Sequence, residues 1–171
     1  MYKLSTDLIK TLSSNKISYC HWKSNLLIDE ALAGYDDLDL LVRKSDFKIF
    51  ESLILNLGFK EASDKNLNIP SVKHFYGYDK DSGQILHLHV YYQIKTGPSW
   101  TKFMRLDIEE VIFDNLILHK SGMPIPKKHI EFVIFIIRIM MKYSKLNEYI
   151  LVKKEESRTK KEIIFLLEGM D

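Results

Sequence analysis

The stretch GYDDLDLLV, residues Gly34–Val42, decides how the rest of this chain is interpreted. A glycine followed by a short apolar run is typical of a turn that leads into a buried β-strand. Alternate side chains of a strand leave the same face, so Asp37 and Asp39 point in one direction. Leu38 and Leu40 point in the other, into the core. The pattern predicts a strand that presents two carboxylates side by side.

Two neighbouring carboxylates repel each other unless a cation lies between them. Mg²⁺ prefers oxygen ligands and usually keeps water and substrate phosphates in its shell. A strand that carries Asp37 and Asp39 into a cleft would therefore suit the binding of Mg²⁺, or Mn²⁺, together with a nucleotide. The alternative is a charged turn, in which Asp36 and Asp37 are solvated and Asp39 caps a neighbouring element.

The segments around this strand predict an α+β fold. Helical periodicity is expected over residues 7–15, 25–32, 46–57 and 127–143, and strands over residues 17–22, 37–42, 73–78 and 84–92. The last two strands flank the polar turn DKDSG and form a predicted β-hairpin. Together they predict a small mixed sheet with flanking helices and a C-terminal helical part.

Composition narrows the classes of protein. With 46% hydrophobic and 12% aromatic residues the chain can build a packed core. Its 25 basic and 23 acidic residues give a net charge of +2, which argues against nucleic acid as a partner. The single cysteine, Cys20, excludes an internal disulfide and a cysteine-based zinc cage. A polar N-terminus and the lack of a long apolar run predict a cytoplasmic protein with no membrane partner.

The order of strand, polar turn, helix and Asp-x-Asp strand resembles the nucleotidyltransferase superfamily over roughly residues 17–92. In that family the two aspartates hold the metal ions and the turn receives the triphosphate. Asp37 and Asp39 match the metal pair by position. The resemblance implies Mg²⁺ (or Mn²⁺) as cofactor and catalytic roles for both aspartates.

The polar turn before the first predicted helix carries the implied nucleotide contacts. Lys23-Ser24 stands where the family usually has Gly-Ser, and the helix that starts near Asn25 would offer backbone amides to a phosphate. The resemblance implies a nucleoside triphosphate as substrate. It also implies transfer of its nucleotidyl group to a hydroxyl or phosphate of a small-molecule or protein acceptor.

The later strand ILHLHV, Ile85–Val90, departs from the family pattern. His87 stands where the third carboxylate usually lies, which favours a second interpretation, a degenerate binding or regulatory module. His87 and His89 share one strand face, either as metal ligands or phosphate contacts beside Asp37 and Asp39, or as half-exposed residues bonded to neighbours. Zinc would need further ligands. His21 and His74 are expected to be isolated structural residues, and both tryptophans to be packing residues.

Three segments are expected along the chain. Residues 1–150 form the nucleotidyltransferase-like domain, and residues 151–161 a charged linker or helix. Residues 162–171, EIIFLLEGMD, resemble the first strand of a thymidylate-kinase-like P-loop domain, although a final strand of the same domain is the alternative. An adjoining kinase domain is thus an expected partner. Truncation at about Lys160 is expected to leave the melting temperature nearly unchanged.

Overall fold

The structure, a computed structural model, describes residues 1–63, 69–97, 102–142 and 146–168. Its helices are α1 (Lys3–Ser14), α2 (Ile28–Leu32), α3 (Phe47–Asn56), α4 (Glu109–Phe113), α5 (Lys128–Lys142) and α6 (Leu146–Leu167). Its strands are β1 (Tyr19–His21), β2 (Leu38–Val42), β3 (Lys60–Ala62), β4 (Val72–Asp79), β5 (Gln84–Tyr91), β6 (Ile94–Thr96), β7 (Met104–Leu106), β8 (Leu116–Leu118) and β9 (Pro124–Pro126). The predicted α+β class is confirmed.

The main sheet has five strands in the order β1-β2-β5-β4-β3. β2 and β5 are parallel, whereas the other neighbouring pairs are antiparallel, so the predicted mixed sheet is confirmed. β6 pairs with β7, and β8 with β9, as two separate ribbons. Because β2 lies beside β5 with Asp39 opposite His89, the predicted acidic and histidine strands are direct neighbours.

Opposite faces of the sheet carry different side chains. Leu38 and Leu40 of β2 and Leu88 of β5 are fully buried in one apolar layer, which packs against α1, α2 and α3. Burial of such apolar surface contributes about 25 cal/mol per Å² and is the main term that holds the layers together. Asp39 and His89 leave the other face, as the strand period of two requires.

The predicted hairpin is formed by β4 and β5, which pair in register from Val72 with Tyr91 to Asp79 with Gln84. The buried Asp79 carboxylate fixes its turn, since it accepts hydrogen bonds from the backbone N–H of Ser82 at 2.9 Å and of Leu4 at 2.7 Å. This pairing places the histidines of both strands on the same face as Asp39.

The strand predicted for residues 162–171 is wrong. Glu162 to Leu167 is the last part of α6, and residues 169–171 lie outside the described residues. Leu166 is fully buried, whereas Ile164 and Leu167 are about half exposed. This difference is expected of a helix that packs with only one of its faces. A short apolar run of this kind does not distinguish a buried strand from a helix by periodicity alone.

The end of α6 is attached to α5. Lys128 Nζ donates a hydrogen bond to the Phe165 carbonyl oxygen at 2.8 Å and lies 4.0 Å from the centre of the Phe165 ring. Residues beyond Lys160 therefore pack on the domain, contrary to the expectation that they lie outside its core. Residues 151–161 are helical, one of the two predicted alternatives. Within the described ranges, none of the helices combines the length and apolar character needed to cross a bilayer.

Candidate functional site

A cavity of about 420 Å³ opens on the polar face of the sheet beside β2. Asp37, which immediately precedes β2, and Asp39, its second residue, both line this cavity. Lys23 and Ser24 line it too, although they follow β1. The structure thus brings together four of the residues that the sequence singled out. The volume is in the range of small-ligand pockets.

Asp39 is the most enclosed of these groups. Its Oδ1 lies 2.8 Å from Lys23 Nζ and 3.1 Å from His89 Nδ1. Burial alone would raise the pKa of this carboxyl, but the Lys23 charge and the His89 hydrogen bond outweigh it and hold the pKa well below its usual range. Burial lowers the pKa of His89 to about 4, partly opposed by Asp39. An ionised carboxylate therefore lies between an ammonium and a neutral imidazole.

Asp37 belongs to a second chain of contacts. Its Oδ1 lies 2.6 Å from His87 Nδ1, and His87 Nε2 lies 3.0 Å from His74 Nδ1. The hydrogen bond from His87 lowers the pKa of the Asp37 carboxyl. In the tautomer of His87 that donates from Nδ1 to Asp37, Nε2 accepts a hydrogen bond from Nδ1 of His74.

The prediction that His74 stands alone is therefore wrong. Besides its bond to His87, the His74 ring stacks on His89 with centroids 4.4 Å apart. Tyr76 stacks on the opposite side of His87, also at 4.4 Å, so a row of aromatic rings runs across β4 and β5. The signal in the sequence was the alternation of side-chain direction along β4, which places His74 on the same face as its partners in β5.

The turn after β1 differs from the expectation. Ser24 has φ 57° and ψ 37°, a left-handed conformation that non-glycine residues rarely adopt. Asn25 is 3% exposed and does not line the cavity. Its backbone N–H donates to Glu131 Oε1 at 2.9 Å, and its Oδ1 lies 2.7 Å from His21 Nδ1.

Asn25 therefore holds the turn in place, and the amide that was predicted to receive a phosphate is already bonded to Glu131. Glu131 is itself buried, on α5, and this burial raises its pKa to about 6. His21 is buried behind the same turn, the structural role that the sequence indicated.

Part of the cavity wall comes from residues that the sequence did not nominate. These are Lys95 of β6, Lys102 before β7, Arg138 of α5, and Arg158 and Glu162 of α6. Arg158 Nη2 lies 3.0 Å from Asp36 Oδ2, which joins α6 to the loop before β2. The charged run around Arg158 was interpreted as a solvated surface, and no spacing in the sequence connects these residues to the Asp37 strand.

Besides Asp39 Oδ1, which has the close charged contacts given above, two buried polar atoms of the wall are unpaired. Trp22 Nε1 and Glu162 Oε1 have no hydrogen-bond partner among the described residues. Such an atom costs about 1–3 kcal/mol unless water or a ligand satisfies it. Trp22 is 1% exposed and packs edge-on against Tyr91 at 5.1 Å, which confirms its predicted packing role. Trp100 lies outside the described residues.

The Asp37 and Asp39 carboxylates are the residues of this site that could hold a metal ion. No group of three or more His, Cys, Asp or Glu side chains arranged to hold a metal ion occurs in the described part of the chain. Zinc sites usually need three or four such ligands. Mg²⁺ is commonly held by one or two carboxylates, with substrate phosphates and water in the remaining positions. Asp37 and Asp39 are the two carboxylates of this site that would hold such a cation, and the Oδ1 of each is already in the contacts above.

Comparisons with models of protein families, with curated proteins and with solved structures gave no match to this chain.

Proposed function

We propose that this chain binds a nucleoside triphosphate together with Mg²⁺, or Mn²⁺, and transfers its nucleotidyl group to an acceptor hydroxyl or phosphate. One observation carries the proposal. Asp37, Asp39, Lys23 and Ser24 lie on one cavity, although two different segments of the chain supply them. This is the arrangement that the resemblance to nucleotidyltransferases implies. A cytoplasmic location is part of the same proposal.

Each residue would have a distinct part. The carboxylates of Asp37 and Asp39 would hold the cation, which when bound neutralises phosphate charge and polarises the phosphoryl group. Lys23 adds a second positive charge at the same wall and can bind a phosphate oxygen. The Ser24 hydroxyl, on a turn fixed by Asn25 and Glu131, can donate to another. These residues bind and orient the phosphates.

A second candidate is a degenerate module that binds nucleotide without catalysis. The geometry of His87 favours it, because both ring nitrogens are already used, by Asp37 and by His74. His87 can serve as a metal ligand or a base only after one of these bonds breaks. The basis for an adjoining nucleotide kinase domain, a strand at residues 162–171, is contradicted, because residues 162–167 are helical. Release of pyrophosphate from bound nucleotide distinguishes the transferase from the module.

Calorimetric titration tests the binding. ATP, GTP, CTP and UTP are each titrated with Mg²⁺ and again with EDTA, and at least one should bind only with Mg²⁺. Asp37→Asn should weaken that binding about tenfold or more, because it removes a charged ligand. Asp81→Asn, in the exposed hairpin turn, is the matched control. The proposal fails if none of the four nucleotides binds, or if the affinity is unchanged both by removal of Mg²⁺ and by Asp37→Asn.

A further inference from the structure

The cavity wall is rich in cations. Six basic side chains line it, Lys23, Lys95, Lys102, Arg138, Lys142 and Arg158, against four acidic ones, Asp36, Asp37, Asp39 and Glu162. The cations come from distant parts of the chain, from the turn after β1 to the C-terminal helices. An excess of positive charge in a concave site concentrates anions there.

Three of the four acidic groups of the wall have a direct partner, and the fourth, the buried Glu162, has the charges of Arg138 and Arg158 nearby. Asp36 pairs with Arg158 at 3.0 Å, Asp37 with His87 at 2.6 Å, and Asp39 with Lys23 at 2.8 Å. Each of these three carboxylates thus has a direct partner other than Lys102.

Lys102 is a half-buried cation with neutral contacts. Its Nζ lies 3.0 Å from the Tyr91 hydroxyl and 3.4 Å from His89 Nε2, and no carboxylate contacts it among the described residues. Burial, and then the nearby charge of Lys23, lower its pKa to about 8; the Asp39 charge partly opposes them and Arg138 adds to them. A partly desolvated ammonium among other cations is unfavourable unless an anion supplies the opposite charge.

We propose that Lys102, with Lys95 and Arg138, binds a phosphate group of the acceptor, so that the acceptor is a phosphorylated small molecule. This inference rests on the proposed function. Mg²⁺ at the Asp37–Asp39 pair and the Lys23–Ser24 turn already provide for the charge of the triphosphate. The three further cations belong to the wall made by β6, the start of β7 and α5, where a second substrate would lie.

Inorganic phosphate is the probe. It is titrated into the full chain, alone and in the presence of a saturating Mg-nucleotide, at constant ionic strength. Phosphate should bind in both cases. Lys102→Met should weaken phosphate binding about tenfold or more through loss of a charge-assisted hydrogen bond, whereas Lys102→Arg should retain most of it. Lys80→Met, in the exposed hairpin turn, is the matched control. Lys95→Met is a second variant in case Lys102→Met does not fold.

Each outcome decides the question. Phosphate that is displaced by Mg-nucleotide overturns the inference, because the cluster then serves the triphosphate itself. No phosphate binding, or equal binding by wild type and the folded lysine variants, overturns it as well. If phosphate binds through Lys102 but none of the four nucleotides binds, the proposed function fails and the anion subsite stands.

Discussion

His87 Nδ1 lies 2.6 Å from Asp37 Oδ1. The residue in the expected place of a third carboxylate is thus a hydrogen-bond partner of the Asp37 carboxylate. The contact lowers the pKa of Asp37, which keeps this carboxyl ionised without a cation beside it. His87 therefore supplies from the protein itself a hydrogen-bond partner for the Asp37 carboxylate.

The first prediction concerns His87→Asp. This change replaces a favourable contact with two like charges, and because Asp37 is about half exposed the loss is about 1 kcal/mol after screening by solvent. The melting temperature in EDTA should fall by a few degrees. Mg²⁺ should then raise the melting temperature of the variant more than that of wild type, since three carboxylates bind the cation.

The control is His129→Asp, at an exposed position on α5. It should show neither the loss in EDTA nor the larger response to Mg²⁺. An equal response of His87→Asp and wild type to Mg²⁺ would show that this position does not face a cation site.

The sequence predicted the parts of this site that depend on local pattern. The period of two in β2 placed Asp37 and Asp39 together, and the hairpin signal placed His87 and His89 on one face. It could not predict Lys102, because the contacts of this residue with His89 and Tyr91 of β5 are distant in sequence and no local spacing encodes them. The error at residues 162–167 has a different cause, since their apolar run fits both a strand and a helix that packs on α5.

The second prediction uses the buried Glu131. Its pKa is raised from 4.5 to about 6, so the folded state binds the proton more tightly than the unfolded state. This contribution to stability is complete below about pH 4.5 and is lost as the pH rises through 6. The loss should amount to about 2 kcal/mol. Glu131→Gln has no proton to lose at this position. Relative to wild type, its free energy of unfolding should therefore rise by about 2 kcal/mol between pH 4.5 and 7.

Urea denaturation of both proteins across this pH range measures the difference. Glu30→Gln, on the exposed side of α2, is the control. A constant difference between Glu131→Gln and wild type from pH 4.5 to 7 would mean that Glu131 is not buried as an acid in solution.

The third prediction tests whether the end of α6 belongs to this domain. Leu166 is fully buried and its neighbour Leu167 is 49% exposed. Leu166→Ala should lower the free energy of unfolding by about 2–5 kcal/mol, because it removes core contacts and leaves a cavity. Leu167→Ala should change it by less than about 0.5–1 kcal/mol, since it loses little buried surface. Both changes replace leucine by alanine in the same helical turn, so helix propensity is matched.

Chemical denaturation of the two variants gives the answer, and truncation after Lys160 should agree with Leu166→Ala. Equal stability of Leu166→Ala and Leu167→Ala would support the earlier expectation that residues after 160 lie outside the core.

The last prediction separates the backbone and the hydroxyl of Ser24. Its left-handed conformation, φ 57° and ψ 37°, costs a residue with a Cβ about 1–2 kcal/mol. Glycine avoids this cost but loses more conformational entropy on folding. Ser24→Gly should therefore be more stable than Ser24→Ala by about 1 kcal/mol, a few degrees in melting temperature. Both variants lack the hydroxyl, so both should lose the same factor in Mg-nucleotide affinity if that hydroxyl binds a phosphate oxygen. If the affinity instead follows the melting temperature, with Ser24→Gly close to wild type, the turn acts through its backbone shape and the hydroxyl makes no phosphate contact.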